Sequence, residues 1–146
     1  MLLNAGQTLT QRAKISAGME ALVDVASGQR HSFRELNEHT NQVAHALLAA
    51  GFAPGDRVAC LMSNQPRYVE SYFACAKAGF LFVALNWRLT VPELSYQLLD
   101  CGATMICRSP RRRSDVASML ASQEILARCD ITAPFGRPVV PLVYIM

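Results

Sequence analysis

The strongest constraint on this chain is a repeated punctuation in which a short apolar run alternates with an amphipathic helix that has a marked start and a marked stop. Ser32-Phe-Arg-Glu35 is a capping box: the serine hydroxyl and the glutamate each satisfy an orphan N–H at a helix start. Leu36, Thr40, Val43 and Leu47 follow at helical spacing, so the expected helix runs to Ala50, with Gly51 and Pro54 ending it. Arg57 to Met62 reads as a strand, and a helix from Pro66 to Gly79 is expected to bury Val69, Tyr72, Phe73 and Ala76. Phe80 to Leu85 is a continuous apolar run, as in a parallel strand covered on both faces. A second capping box, Thr90-Val-Pro-Glu93, opens a helix through Leu94, Leu98 and Leu99 that stops at Gly102, and Thr104 to Cys107 is a further strand. This order implies right-handed βαβ units and a parallel sheet with helices on both faces.

The residues ahead of this pattern read as a helix from Thr8 to about Ala17 and a hairpin, Ala21 to Ala26 and Gln29 to Ser32, around the turn Ser27-Gly28. The fold class is therefore α/β, preceded by a short hairpin. The pattern weakens at residue 108. There Arg108-Ser-Pro-Arg-Arg-Arg113 forms a basic loop, a looser helix is expected over 115–129, and the proline-broken run 134–146 allows a final strand over 142–145 or an apolar tail that needs a partner surface.

Charge marks the same boundary. Residues 1–107 hold eight Lys/Arg and eight Asp/Glu, whereas residues 108–146 hold six Arg against three acids and so supply the whole net charge of +3. With 146 residues, 51% hydrophobic and 17% charged, the chain has material for about one core-bearing domain, which excludes disordered, collagen-like and coiled-coil classes. The start lacks a signal-peptide pattern and no apolar stretch approaches a membrane span, so a cytoplasmic protein is expected. Cys60, Cys75, Cys101, Cys107 and Cys129 form no C-x-x-C pair, and read as reduced thiols acting as small hydrophobes.

Chemistry-bearing motifs are absent. No two glycines lie within three positions of each other, so neither a dinucleotide fingerprint nor a P-loop can be written on the chain. His31, His39 and His45 lack metal-ligand spacing, no G-x-S-x-G elbow presents a serine, and Glu35 and Glu38 are explained by their helix start. Tyr68, Tyr72, Phe73, Phe80, Phe82 and Trp87 are expected in core and sheet packing. The arginine run Arg108 to Arg113 has no aromatic interleaving and no basic face to extend, so it reads as a solvated loop and no nucleic-acid partner is expected.

Seven short segments, taken in order, carry a resemblance: Ser32-Phe-Arg-Glu-Leu36, Leu48 to Val58, Leu61-Met-Ser-Asn64, Ala78-Gly79, Ala84 to Thr90, Glu93-Leu94 and Asp100-Cys-Gly-Ala103. Together they resemble the opening segment of the adenylate-forming (AMP-binding) superfamily, most of all bacterial fatty-acid and other acyl-CoA ligases. The resemblance covers roughly residues 8–107. The positions that carry it, Gly55, Asp56, Arg57, Asn64, Gly79, Asn86, Arg88 and Glu93, read as structural punctuation, and none matches a catalytic, cofactor or metal residue of the family. The resemblance implies a reaction that uses ATP, magnesium and coenzyme A to turn a carboxylate into an acyl-CoA, AMP and pyrophosphate. The family's phosphate loop, adenylate motif, ribose-binding aspartate and catalytic lysine have no counterpart in the 146 residues, so the chain alone is expected to be inactive and to bind no cofactor.

This divides the sequence into 1–107, the N-terminal part of a ligase domain, and 108–146, a divergent tail. Three readings of the whole stay open. One is a ligase gene cut short by a frameshift or premature stop. The second is a small interaction module that pairs with a complementary ligase fragment or with itself, and the third is a nucleic-acid binder through the arginine run. Low solubility or oligomerisation is expected from the open sheet edge.

Overall fold

A computed structural model describes residues 4–108. The arginine run beyond Arg108, Cys129, the helix expected over 115–129 and the strand expected over 142–145 lie outside the described residues. The described part forms two compact units, residues 4–55 with 64–81 and residues 56–63 with 82–108.

The first unit is built from three helices and a hairpin. Helix α1 spans Ala5–Ile15, three residues earlier than the sequence suggests, because the Asn4 side chain caps it by accepting from the Gly6 N–H at 2.8 Å. Strands β1 (Glu20–Val23) and β2 (Arg30–Ser32) pair antiparallel, with Leu22 opposite His31. The turn between them starts at Asp24, earlier than expected, because its carboxylate accepts from Ala26 N–H and Ser27 Oγ. Helix α2 (Phe33–Ala49) carries the expected capping box at Ser32 and Glu35, and buries Leu36, Thr40, Ala44 and Leu47. Thr40 is accommodated there because its hydroxyl donates to the Leu36 carbonyl at 2.6 Å.

The second unit begins with β3 (Arg57–Leu61), from which the chain runs through α3 (Pro66–Ala78) of the first unit and back into β4 (Leu81–Ala84). Helix α4 (Val91–Cys101) then leads to β5 (Met105–Arg108). The sheet order is β4-β3-β5, and β3 pairs in parallel with β5 from Val58↔Met105 to Leu61↔Arg108. Strand β5 starts one residue later than expected because Thr104 is spent anchoring the register. Its N–H and its hydroxyl both donate to the Arg57 carbonyl, at 2.9 and 3.1 Å. On one face Ala59, Leu61 and Ile106 pack with Leu85, Leu94, Leu98 and Ala103. The alternate positions Val58, Cys60, Met105 and Cys107 are fully buried as well, so both faces of β3 and β5 are covered.

Three expectations are corrected. Helix α3 buries Glu70, Ser71, Ala74 and Cys75, not Val69, Tyr72, Phe73 and Ala76. Both sets have helical spacing. The smaller one is buried, against α1 and α2, and α1 approaches α3 so closely that a Cβ on Gly6 would lie 2.7 Å from the Lys77 backbone nitrogen. Second, β4 is an edge strand among the described residues and is not covered on both faces: Leu81 is 51% exposed and Ala84 is exposed. Third, of the six aromatics expected in packing only Phe80 is buried, while Tyr72 and Trp87 are exposed to 42% and 38%. An aromatic of the kind favoured in strands and cores is equally at home on the boundary of a small unit, and sequence pattern does not separate the two.

Two substitutions test this packing. Leu94→Ala is expected to cost about 2–5 kcal/mol, whereas truncation of Tyr96, 70% exposed on the same helix, should leave chemical denaturation almost unchanged. Gly6→Ala is expected to lower the melting temperature, although alanine in a helix interior is ordinarily worth about 1 kcal/mol over glycine. A stabilised variant in thermal melts would contradict the close α1–α3 approach.

Candidate functional site

The eight positions that carry the resemblance fall at or beside the ends of elements in both units. In the first unit Gly55 and Gly79 meet: the Gly55 N–H donates to the Gly79 carbonyl at 2.8 Å. Both take left-handed backbone, φ 96° and φ 80°, and a Cβ on Gly79 would stand 3.2 Å from Pro54 Cβ, so glycine is required there on both counts. Asn64 is exposed at the mouth of a groove described below. In the second unit Asp56 leads into β3, and Arg57 contributes the carbonyl that holds Thr104. Asn86, Arg88 and Glu93 shape the connection from β4 to α4. Asn86 Oδ1 accepts from the Arg88 N–H at 3.0 Å, the Arg88 guanidinium lies 5.2 Å from the Trp87 ring centroid, and Glu93 accepts from both the N–H and the hydroxyl of Thr90.

The first unit holds a groove of about 420 Å³. One wall is the end of β1 and its turn, Leu22 to Ala26, and the other is Asn64 to Pro66 with Tyr68 and Val69. The groove is mainly apolar, with Asp24, Asn64 and Gln65 as its polar rim. Asp24 is held below the usual carboxylate range chiefly by the Ser27 hydroxyl, so it presents a charge that is already engaged in its own turn. In the second unit a more open cleft of about 410 Å³ lies beside Leu89, Pro92 and Tyr96.

Two polar clusters that the sequence does not advertise sit between the helices of the first unit. Lys77 reaches from α3 to the side-chain oxygens of Asn37 and Asn41 on α2, at 2.5 and 2.6 Å, and burial pushes its ammonium below the usual lysine range. His39, expected to be an ordinary boundary histidine, has its Nδ1 3.1 Å from Oε1 of the buried Glu70. Helical spacing places Glu70 on the buried face only once that face is known, so neither cluster has a sequence signal of its own. The thiols match their reading as packing groups: Cys60, Cys75 and Cys107 are buried and form no disulfide, and burial pushes Cys75 up to about 12.

The fit to nucleotide and metal is poor over the described residues. Their positive-φ glycines, Gly28, Gly51, Gly55, Gly79 and Gly102, are isolated and close turns or helices, so no run of N–H groups forms a phosphate cradle. No group of three His, Cys, Asp or Glu among them is placed to hold a metal ion.

Comparison with known proteins gives the decisive observation. The sequence profile described as AMP-binding enzyme matches residues 9–134. The chain belongs to the AMP-binding enzyme family. The match runs past the charge boundary at residue 108. Among curated relatives, the feruloyl-CoA synthase of an Amycolatopsis species is 40% identical over 118 residues, which cover 81% of this chain and 24% of that protein. The long-chain-fatty-acid–CoA ligase FadD13 of Mycobacterium tuberculosis is 37% identical over 103 residues, 70% of this chain and 20% of that protein. Among solved structures, the N-terminal domain of FACL13 from M. tuberculosis superposes with a TM-score of 0.79 at 28% identity, covering 94% of this chain and 38% of that one. The chain thus spans about a quarter of the length of the curated relatives it matches. Among the described residues of this family member no helix is long and apolar enough to cross a membrane.

The capping carboxylates give a pH prediction. Glu35 is held below its ordinary 4.5, first by the Ser32 backbone N–H, and Glu93 is held below the same value, first by the Thr90 hydroxyl. A carboxylate lowered in the folded state stabilises it above the unfolded value and loses that contribution as pH falls through the folded value. Melting temperature is therefore expected to drop below about pH 4.5, and the drop should be shallower in the Glu35→Gln, Glu93→Gln double variant, whose helices no longer depend on ionised caps.

Proposed function

We propose that this chain supplies the N-terminal portion of an ATP-dependent acid–CoA ligase acting in the cytoplasm. The whole enzyme would convert a carboxylate, ATP and coenzyme A to acyl-CoA, AMP and pyrophosphate. In this reading residues 1–107 contribute scaffold, and the adenylation chemistry is carried by residues outside 4–108. The observation that carries it is the family match over 9–134, joined to a fold in which β3 and β5 pair in parallel.

The same division explains what the relatives have in common. One carries feruloyl in its name and another a long-chain fatty acid, yet this segment is about equally similar to both. Gly55, Gly79, Asn86 and Glu93 meet demands of chain direction that do not depend on the acid. The segment therefore leaves the acid to be chosen elsewhere, and a fatty acid is one member of the eligible class. The partner of the segment is the complementary portion of a ligase, and the exposed edge strand β4 offers backbone groups to it.

A domain exchange tests the proposal. Residues 9–107 replace the matching segment of FadD13, and ATP–pyrophosphate exchange is followed with a fatty acid and with ferulate. The chimera is expected to exchange with the recipient's own preference, while the 146-residue chain alone stays at background. A well-folded chimera without exchange would overturn the scaffold role, and exchange by the chain alone would overturn the placement of the chemistry.

A further inference from the structure

Three titratable side chains that ligase chemistry does not use form a line from the hairpin to α3. The rings of His31 on β2 and His39 on α2 meet edge to face, with centroids 5.9 Å apart. His39 continues the line to Glu70 on α3, its Nδ1 3.1 Å from Oε1. Glu70 is only 7% exposed, whereas the His39 side chain is 45% exposed. A buried carboxylate needs a compensating charge or strong hydrogen bonds. An imidazolium at His39 supplies both, while a neutral ring supplies one neutral hydrogen bond.

His31 is the poorer place for the proton. Its Nε2 is buried with no hydrogen-bond partner, so a second ring N–H would have no acceptor. Asp24 in the hairpin turn acts on His31, and Glu35 at the start of α2 acts on both rings, and each is already held below the usual carboxylate range by its own hydrogen bonds. On α1, Arg12 lies over the Phe33 ring, and on α3, Lys77 is directed to Asn37 and Asn41.

We propose that His31, His39 and Glu70 form a proton-operated latch in which protonation of His39 pulls α3 against α2 and, through the His31 ring, steadies the hairpin. The groove between the hairpin and the start of α3 is where the latch is read. His31 is the register partner of Leu22 on one wall, and Glu70 follows Val69 on the other. Acid closes the latch, over the range in which imidazoles in general gain a proton. Asp24 and Glu35 stay ionised throughout that range, so they do not move with it.

The test is amide hydrogen exchange on the full chain at pH 5.5 and pH 8, corrected for intrinsic exchange, in wild type and in Glu70→Gln, His39→Gln and His31→Phe. Protection over residues 66–78, relative to Glu70→Gln, is expected to be about fivefold higher at the lower pH. His39→Gln should remove that pH response. His31→Phe, which keeps a ring against His39, should retain it. An equal wild-type to Glu70→Gln ratio at both pH values, or a pH response that survives in His39→Gln, would overturn the latch, and loss of the response in His31→Phe would overturn the placement of the proton on His39. If Glu70→Gln does not fold, the half-exposed His39→Gln variant decides the question against wild type.

Discussion

The parallel register of β3 against β5 is the constraint on which the second unit depends. Arg57 and Thr104, 47 residues apart, are joined by two hydrogen bonds to one carbonyl, and the four register pairs that follow are equally distant in sequence. A parallel pair cannot be closed by a tight turn, so everything between the strands must be spent on crossovers. The chain makes two, through α3 to β4 and through α4 to β5, and this places β3 in the centre with a neighbour on each side. Once β3 and β5 are paired, their alternation buries every side chain from Val58 to Leu61 and from Met105 to Cys107. Loop closure must precede these contacts, so the sheet is the non-local and slower part of the fold.

What holds the crossovers to length is local. Gly79 ends α3 in a conformation that other residues resist, and it accepts from Gly55, which precedes β3 in the chain. Gly102 does the same at the end of α4, two residues before Thr104 takes up its anchor on Arg57. These stops and the two capping boxes were legible in the sequence because each is a chemical pattern within about four residues: a hydroxyl, a carboxylate or a missing Cβ at a fixed offset from a helix end. The hairpin and the strand positions were legible to within a few residues for the same reason. Asn4 and Asp24 moved two boundaries through side chains bonded to a nearby N–H, and asparagine or aspartate at those positions does not announce which N–H it will take.

The less legible features are the ones decided between elements. The face α3 buries is decided where it meets α1 and α2: Gly6 of α1 lies against the Lys77 backbone, Ala74 and Cys75 are buried and Tyr72 is exposed. The same face carries Glu70 inward, where it meets His39 of α2. Likewise the apolar run of β4 reads as a doubly covered strand by composition, but its place at the sheet edge follows from topology, which the run itself does not encode. The masking of long-range decisions by short-range pattern also explains why Lys77, whose partners are two asparagines on another helix, could not be singled out beforehand.

The separation of punctuation from chemistry bears on what a family likeness means for such a segment. The positions that carried the resemblance, Gly55 and Gly79 above all, are fixed by φ angles and by a 3.2 Å clearance from Pro54, demands that exist whatever acid a ligase activates. Substitution there is penalised through the backbone. The polar groups His31, His39 and Glu70 are held instead by ring contact and hydrogen bonding to one another and by the packing of α2 against α3. A segment of this kind identifies its family through the residues least able to define a substrate. Whatever distinguishes this chain within the family is to be sought in pairs, such as His39 with Glu70, that no backbone requirement has fixed.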